Sequence, residues 1–250
     1  MKVYLISKNT LEDGMSNFLS DRALSWAHDN DVCASELVVE AAGRVCYMSF
    51  SDKQYRKTNQ DYISNILHQG HDSVLEHANF TILVDGLTRA LSHQLVRHRI
   101  GFAYSQLSQQ YHDESDVEFI QPKGLDENPG LKKQWLLWCA ATRSLHDNLR
   151  GADSKVSASA HLSVKEQQRH SRSMARSVLP NATHTTIMIT GNARAWRHLL
   201  SIRGAIAGDT EMREYCIAIY HLLLEACPSL FSGFEVFEDQ LGKYVRSASQ

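Results

Sequence analysis

Residues 97–111 read Arg97-His98-Arg99-Ile100-Gly101-Phe102-Ala103-Tyr104-Ser105-Gln106-Leu107-Ser108-Gln109-Gln110-Tyr111. Three cationic or titratable side chains stand together. Two serines, three glutamines and two tyrosines follow, with no acidic residue in the run. Fixed positive charge beside so many hydrogen-bond donors suits a phosphate or another planar anion. A solvated cationic helix end would have the same composition, since the helix dipole favours cations there. Upstream, Leu87, Leu91 and Leu95 recur at i, i+4, i+8, which predicts a helix over 87–99 with these leucines inward. Arg89, His93 and Arg97 form a second row on it, and Gln94 and His98 share a third. The predicted helix thus delivers Arg97, His98 and Arg99 together at its end.

Composition narrows the class. At 250 residues the chain can bury a sizeable core as one domain, 1–250. Hydrophobic residues at 43% and charged residues at 22% are ordinary for a globular protein. The net charge of −2 argues against a nucleic-acid binder. No apolar run reaches membrane-spanning length, and the first residues lack a signal-peptide pattern. Five cysteines without a CxxC pair read as reduced thiols in a cytoplasmic enzyme.

Outward from the central stretch, a strand is expected over 3–6 and a helix over 35–47 with Ser35 as its N-cap. A second helix over 61–68 stops at Gly70. His68, His71, Asp72, Ser73, Glu76 and His77 then form a second polar cluster, whose spacing matches no tight zinc pattern. A strand is expected over 80–84, closed by an Asp85-Gly86 turn. Further expectations are a strand over 117–121, a surface loop over 123–133, a helix over 134–149 and a mobile loop over 151–160. A helix ending at Pro180, a strand over 185–190 and a turn at Gly191-Asn192 follow. Asn192 caps a helix running to Arg203, on which Arg194 and His198 are i, i+4 neighbours near an anion-favouring N-terminus. A last amphipathic helix covers 211–224.

The Arg97-His98-Arg99 triplet, the Ser105–Ser108 run and Tyr111 resemble the signature of the flavin-dependent thymidylate synthase family. The second cluster and a C-terminal set, Arg176 through Asn192, Arg194, His198 and Arg203 to Glu211, resemble that family in the same order. Three departures stand out. Eight residues, Ile100 to Leu107, separate Arg99 from Ser108, one more than usual; Gln110 replaces the usual arginine; and Ala207 stands where members often carry histidine.

The resemblance implies a mixed α/β fold, a twisted sheet with long flanking helices, assembled as a homotetramer with FAD at subunit interfaces. It implies reductive C5-methylation of dUMP, with NADPH reducing the flavin, methylenetetrahydrofolate giving the carbon and no cysteine attacking the pyrimidine. UMP is an open alternative substrate, because the loop beside the sugar has changed. By resemblance Cys46, His71, Ser73, Glu76, Arg97, His98, Arg99, Asn192, Arg194 and His198 hold the cofactor, with His77 beside them. Gln94, Arg97, Gln106, Ser108, Gln110, Tyr111, Arg176 and Arg203 hold the nucleotide, and Arg203, Arg176 and Ser108 are the catalytic candidates. Arginines beside the uracil carbonyls would stabilise charge developing on the ring. Gln110 removes a cation, so that either the nucleotide is bound somewhat differently or another arginine, Arg172 or Arg169, substitutes. Two other readings stay open: a non-catalytic flavin or nucleotide-binding paralogue, and a metal-dependent hydrolase built on His68, His71 and His77.

Overall fold

A computed structural model describes residues 1–29, 31–112, 114, 116–152 and 161–248. Eight helices and six strands are labelled here. They are β1 (Lys2–Lys8), α1 (Gly14–Asp21), α2 (Ala34–Tyr47), α3 (Asn59–Gln69), β2 (Asn79–Thr88), α4 (Arg89–Leu95) and β3 (Phe102–Gln106), followed by α5 (Pro129–Ala152), α6 (Val164–Ala175), β4 (His184–Asn192), α7 (Ala193–Arg203), α8 (Thr210–Ala226), β5 (Phe234–Asp239) and β6 (Gly242–Ser247). The main sheet has the order β1-β2-β4-β3, and β5 and β6 form a separate antiparallel hairpin. Sheet and long helices together make the mixed α/β architecture that was expected.

The chain divides into two compact units. The first comprises Met1–Val84, His98–Tyr104 and Met188–Gln250; the second comprises Asp85–Arg97 and Ser105–Ile187. In the first, Phe80, Ile82 and Val84 alternate inward along β2, joined by Ile189 of β4 and by Trp196, Leu199 and Leu200 of α7, all fully buried or nearly so. Trp196 packs edge-on against Phe102 at 4.9 Å between ring centroids. A side chain at Gly191 would collide with both rings, so glycine is required there. In the same unit Glu40 and Arg44 of α2 form a buried i, i+4 ion pair at 2.7 Å. Trp26 and Asn59 also donate to Glu40, while Arg44 donates to the Ser49 and Arg56 carbonyls. Every charge is matched, as burial demands; removing one partner would cost about 3–5 kcal/mol.

Several expectations are corrected. Ser35 lies inside α2, whose N-cap is Cys33; its hydroxyl instead accepts the Asn9 N–H at 3.2 Å. Asp85-Gly86 does not end β2, which runs on to Thr88. Asp85 accepts the Thr186 hydroxyl at 2.6 Å, and this cross-strand bond overrides local turn chemistry. The helix predicted over 87–99 is only Arg89–Leu95, because Leu87 and Thr88 are in β2 and Thr88 caps the helix. The leucine row is nonetheless fully buried. Part of the supposed signature loop is the strand β3. Residues 117–121 contribute only an isolated bridge, Phe119 to Thr183. Helix α5 begins at Pro129, within the predicted 123–133 loop. The β5–β6 hairpin was not foreseen, and the mobile loop expected over 151–160 lies largely outside the described residues. Cys33 and Cys227 are joined as a disulfide across 194 residues, so not all thiols are reduced; local spacing could not reveal so distant a pairing.

Candidate functional site

In the first unit, β4 feeds directly into α7. Asn192 ends the strand and caps the helix, its side-chain oxygen accepting the Ala195 N–H at 2.9 Å. Gly101 presses against this cap with φ +76°, and a Cβ there would come within 2.8 Å of the Ala195 Cβ. The Asn192 N–H donates to the Gly101 carbonyl at 3.2 Å. Gly101 is the sole positive-φ residue in the signature, and Ile100 before it is 94% exposed. The long spacer therefore turns at Ile100-Gly101 and then runs regularly as β3.

Two cavities flank Arg194, and the first of them borders this turn. One, about 640 Å³, is lined by Asp72, Glu76, Gly101, Asn192, Arg194 and His198 among others. The other, about 890 Å³, is lined by Cys46, Arg56, Tyr62, His71, Ser73 and Arg194 among others. Arg194 borders both and donates to Glu76 at 2.6 Å. Both partners are about half exposed, and so open a pair is worth at most about 1 kcal/mol. An incoming anion can displace Glu76.

His98 stands between exposed Arg97 and Arg99 but is itself half-buried. Its Nε2 accepts the Arg203 Nε–H at 3.1 Å, and its carbonyl accepts the Tyr104 hydroxyl at 2.7 Å. Burial first, then the nearby charges of Arg203 and His198, push the imidazole below its ordinary range. His98 is thus neutral, as accepting an N–H requires. Burial likewise raises the Tyr104 phenol.

The second unit carries the rest of the signature. Gln106 donates to Ser92 at 2.8 Å and to Thr185 at 3.2 Å. Arg89 donates to the Leu107 carbonyl at 3.1 Å. Burial lowers the Arg89 guanidinium; Glu114 opposes this and Arg176 adds to it. Two arginines in mutual electrostatic reach mark a place that favours an anion. Residues 108–112 fold as a turn, in which the Ser108 carbonyl accepts from Tyr111 and His112, and the Ser108 hydroxyl accepts the Gln110 N–H at 3.3 Å. That turn is seated on α6. Arg172 donates to the Tyr111 carbonyl at 3.0 Å, and Arg169 lies 5.5 Å over the Tyr111 ring. Arg169, Arg172 and Arg176 follow i, i+3, i+7 spacing.

The units sort the candidates. Cys46, His71, Ser73, Glu76, His98, Arg99, Asn192, Arg194 and His198 of the cofactor set fall in the first; Gln94, Gln106, Ser108, Gln110, Tyr111 and Arg176 of the nucleotide set fall in the second. Arg97, placed in both sets, is in the second, and Arg203 is in the first, bonded to His98. His77 lines neither cavity; its carbonyl accepts from Asn9 and Asn79. Among the described residues no group of three His, Cys, Asp or Glu is placed to hold a metal. The sequence reading assigned Arg89 no ligand, although its row with Arg97 was visible. It missed the Arg203–His98 bond altogether, since no spacing encodes a contact across 105 residues.

Comparison with known proteins bears on this arrangement. The family described as "Thymidylate synthase complementing protein" matches residues 31–229. A flavin-dependent thymidylate synthase of Corynebacterium aurimucosum is 40% identical over 222 residues, 88% of each chain. One from Mycolicibacterium gilvum is 37% identical over 238 residues, 94% of this chain and 90% of that protein. In fold the chain is similar to the crystal structure of Thymidylate Synthase X from Helicobacter pylori with FAD and dUMP, with a TM-score of 0.63 and 19% identity over 93% of this chain and 98% of that one. With the signature turn, the capped β4–α7 junction and the matched length all in agreement, the chain belongs to the thymidylate synthase complementing protein family, whose relatives here are flavin-dependent thymidylate synthases.

Proposed function

We propose that this protein methylates C5 of dUMP to give dTMP, using FAD, NADPH and methylenetetrahydrofolate. The observation that carries the reading is the seating of the signature turn Ser108–Tyr111 on the arginine row of α6. Phosphate and pyrimidine are acceptor-rich, and arginine meets them with a permanent, forked charge. Ser108, Gln106, Gln94 and Arg97 would hold phosphate and ribose. Arg169 and Arg172 supply the cation that Gln110 lacks, and Arg176 and Arg203 would stabilise charge growing on the uracil ring.

The residues present also fit FAD. Arg194, His198 and Asn192 gather at a helix N-terminus suited to a pyrophosphate, beside cavities with room for planar rings. Cys46, His71, Ser73 and Glu76 extend the same walls, and the resemblance adds His98 and Arg99 to the cofactor's surroundings. A flavin held by these residues would supply the hydride chemistry that no side chain can. Cys139 and Cys216 are buried and burial raises both thiols, which disfavours either as a nucleophile, while the exposed Cys46 lines the second cavity with the cofactor set.

Residues 1–250 act as one functional domain on this reading, since each unit is assembled from discontinuous segments. Leu136, Leu137 and Leu145 of α5 are about half exposed or more in the single chain, which supports a homotetramer that covers them. No described helix is long and apolar enough to cross a membrane. We place the enzyme in the cytoplasm, with its reduced cosubstrates.

Tritium release from C5-labelled dUMP, with all three cosubstrates, tests the proposal, and C5-labelled UMP runs in parallel. Release from dUMP is expected. Faster release from UMP would make this a ribonucleotide methylase. Release from neither, in protein that retains flavin, would leave a non-catalytic paralogue.

A further inference from the structure

We propose that His98 is a positioning residue for Arg203, holding its guanidinium by the Nε–H so that the two terminal NH₂ groups face outward to the nucleotide. The inference rests on the reading of Arg203 as the cation beside the pyrimidine, and goes beyond it by saying what aims that cation.

Arg203 is the last residue of α7, where the helix no longer constrains a long side chain. Something else must fix it, because an arginine free among rotamers stabilises a transition state poorly. Two contacts in the structure do so. Gly204 follows, and a Cβ there would collide with the Val245 carbonyl, so β6 packs directly on the backbone beside Arg203; the Val245 N–H donates to the Gly204 carbonyl at 3.3 Å. At the far end, Nε donates to His98 Nε2 at 3.1 Å. His98 is in turn fixed by the Tyr104 hydroxyl on its carbonyl. With Nε–H committed, the remaining four N–H donors of Arg203 all lie on its terminal nitrogens.

The hold depends on protonation. A neutral imidazole accepts at Nε2; an imidazolium has a proton there and repels the guanidinium. Burial first, then the charges of Arg203 and His198 on α7, keep His98 neutral, while Tyr104 of β3 bonds its carbonyl and Tyr215 and Cys216 of α8 lie within electrostatic reach of Tyr104 and Arg203. Protonation of His98 therefore releases Arg203 and gives turnover an acid limb.

The test combines a titration with a variant series in the FAD-loaded enzyme. Histidine labelled with ¹³C at Cε1 gives the His98 titration by NMR. The midpoint is expected to lie below that of a free histidine, and to rise in Arg203→Gln, which removes the cation and the donor to the neutral ring. An unchanged midpoint in Arg203→Gln would overturn the proposal, whatever the enzyme turns over. In kinetics at saturating FAD, used because the resemblance also places His98 beside the cofactor, His98→Leu should lower kcat about 10- to 100-fold, with KM for dUMP changed less than about threefold. Glutamine places an acceptor near Nε2 without titrating, so His98→Gln should recover about tenfold over His98→Leu and lose the acid limb. Equal loss of kcat in both variants at saturating FAD would refute the positioning role. If the wild type turns over neither nucleotide, the functional proposal fails, and the NMR arm still decides the His98–Arg203 coupling.

Discussion

Replacing Arg169 and Arg172 together by glutamine should weaken dUMP binding about 10- to 30-fold, and arginine at position 110 should restore most of it. Arg172, bonded to the Tyr111 carbonyl at 3.0 Å, and Arg169, 5.5 Å over the Tyr111 ring, keep two guanidinium groups at the turn. Each fixed charge is worth about 0.7–1 kcal/mol to an anion at so exposed a position. Together they give about 1.5–2 kcal/mol, or 10- to 30-fold. Equilibrium dialysis of the FAD-loaded protein reads the affinity, with deoxyuridine as the phosphate-free comparator. A charge effect on phosphate must spare deoxyuridine and shrink with added salt. Gln110→Arg in the double variant should recover about tenfold, because it returns a fixed cation to the same turn. Equal weakening of dUMP and deoxyuridine would mean that the two arginines merely shape the loop. Failure of Gln110→Arg to recover affinity would refute the idea that they stand in for it.

Two further outcomes follow from other parts of the structure. Gly101→Ala should strip flavin and lower stability by about 1–3 kcal/mol, since φ is +76° and the Ala195 Cβ and Asn192 are in the way; flavin absorbance after gel filtration and a thermal melt read both, and a flavin-loaded variant of wild-type stability would refute it. Burial raises the Glu36 carboxyl above its reference value of 4.5, against the opposing N–H bonds from Ser229 and Leu230. Its pKa is thus higher folded than unfolded, so the stability it contributes is fully present below about pH 4.5 and is lost as pH rises through the folded value. Glu36→Gln should flatten that slope in urea melts run upward from about pH 4.5, and an unaltered slope would exclude Glu36 as its source.

Periodicity and capping chemistry were legible from the chain alone because they act over three or four residues. The leucines 87, 91 and 95 are all buried, Gly70 ends α3 in the left-handed region, and Asn192 caps α7 with its own side chain. Where a local signal competed with a cross-strand partner, the partner won: Asp85-Gly86 carries turn chemistry, yet its bond to Thr186 keeps β2 running. The residue types of the site were likewise visible in order along the sequence. Their grouping was not, because it depends on chain segments brought together from far apart. Cys33 meets Cys227 across 194 residues, and Arg203 meets His98 across 105. The sequence by itself determined which side chains are available for chemistry, since charge and hydrogen-bonding capacity are properties of each residue. Only the tertiary structure decided which of them share a neighbour, and therefore that His98 accepts from Arg203 and that Arg169 and Arg172 meet Tyr111.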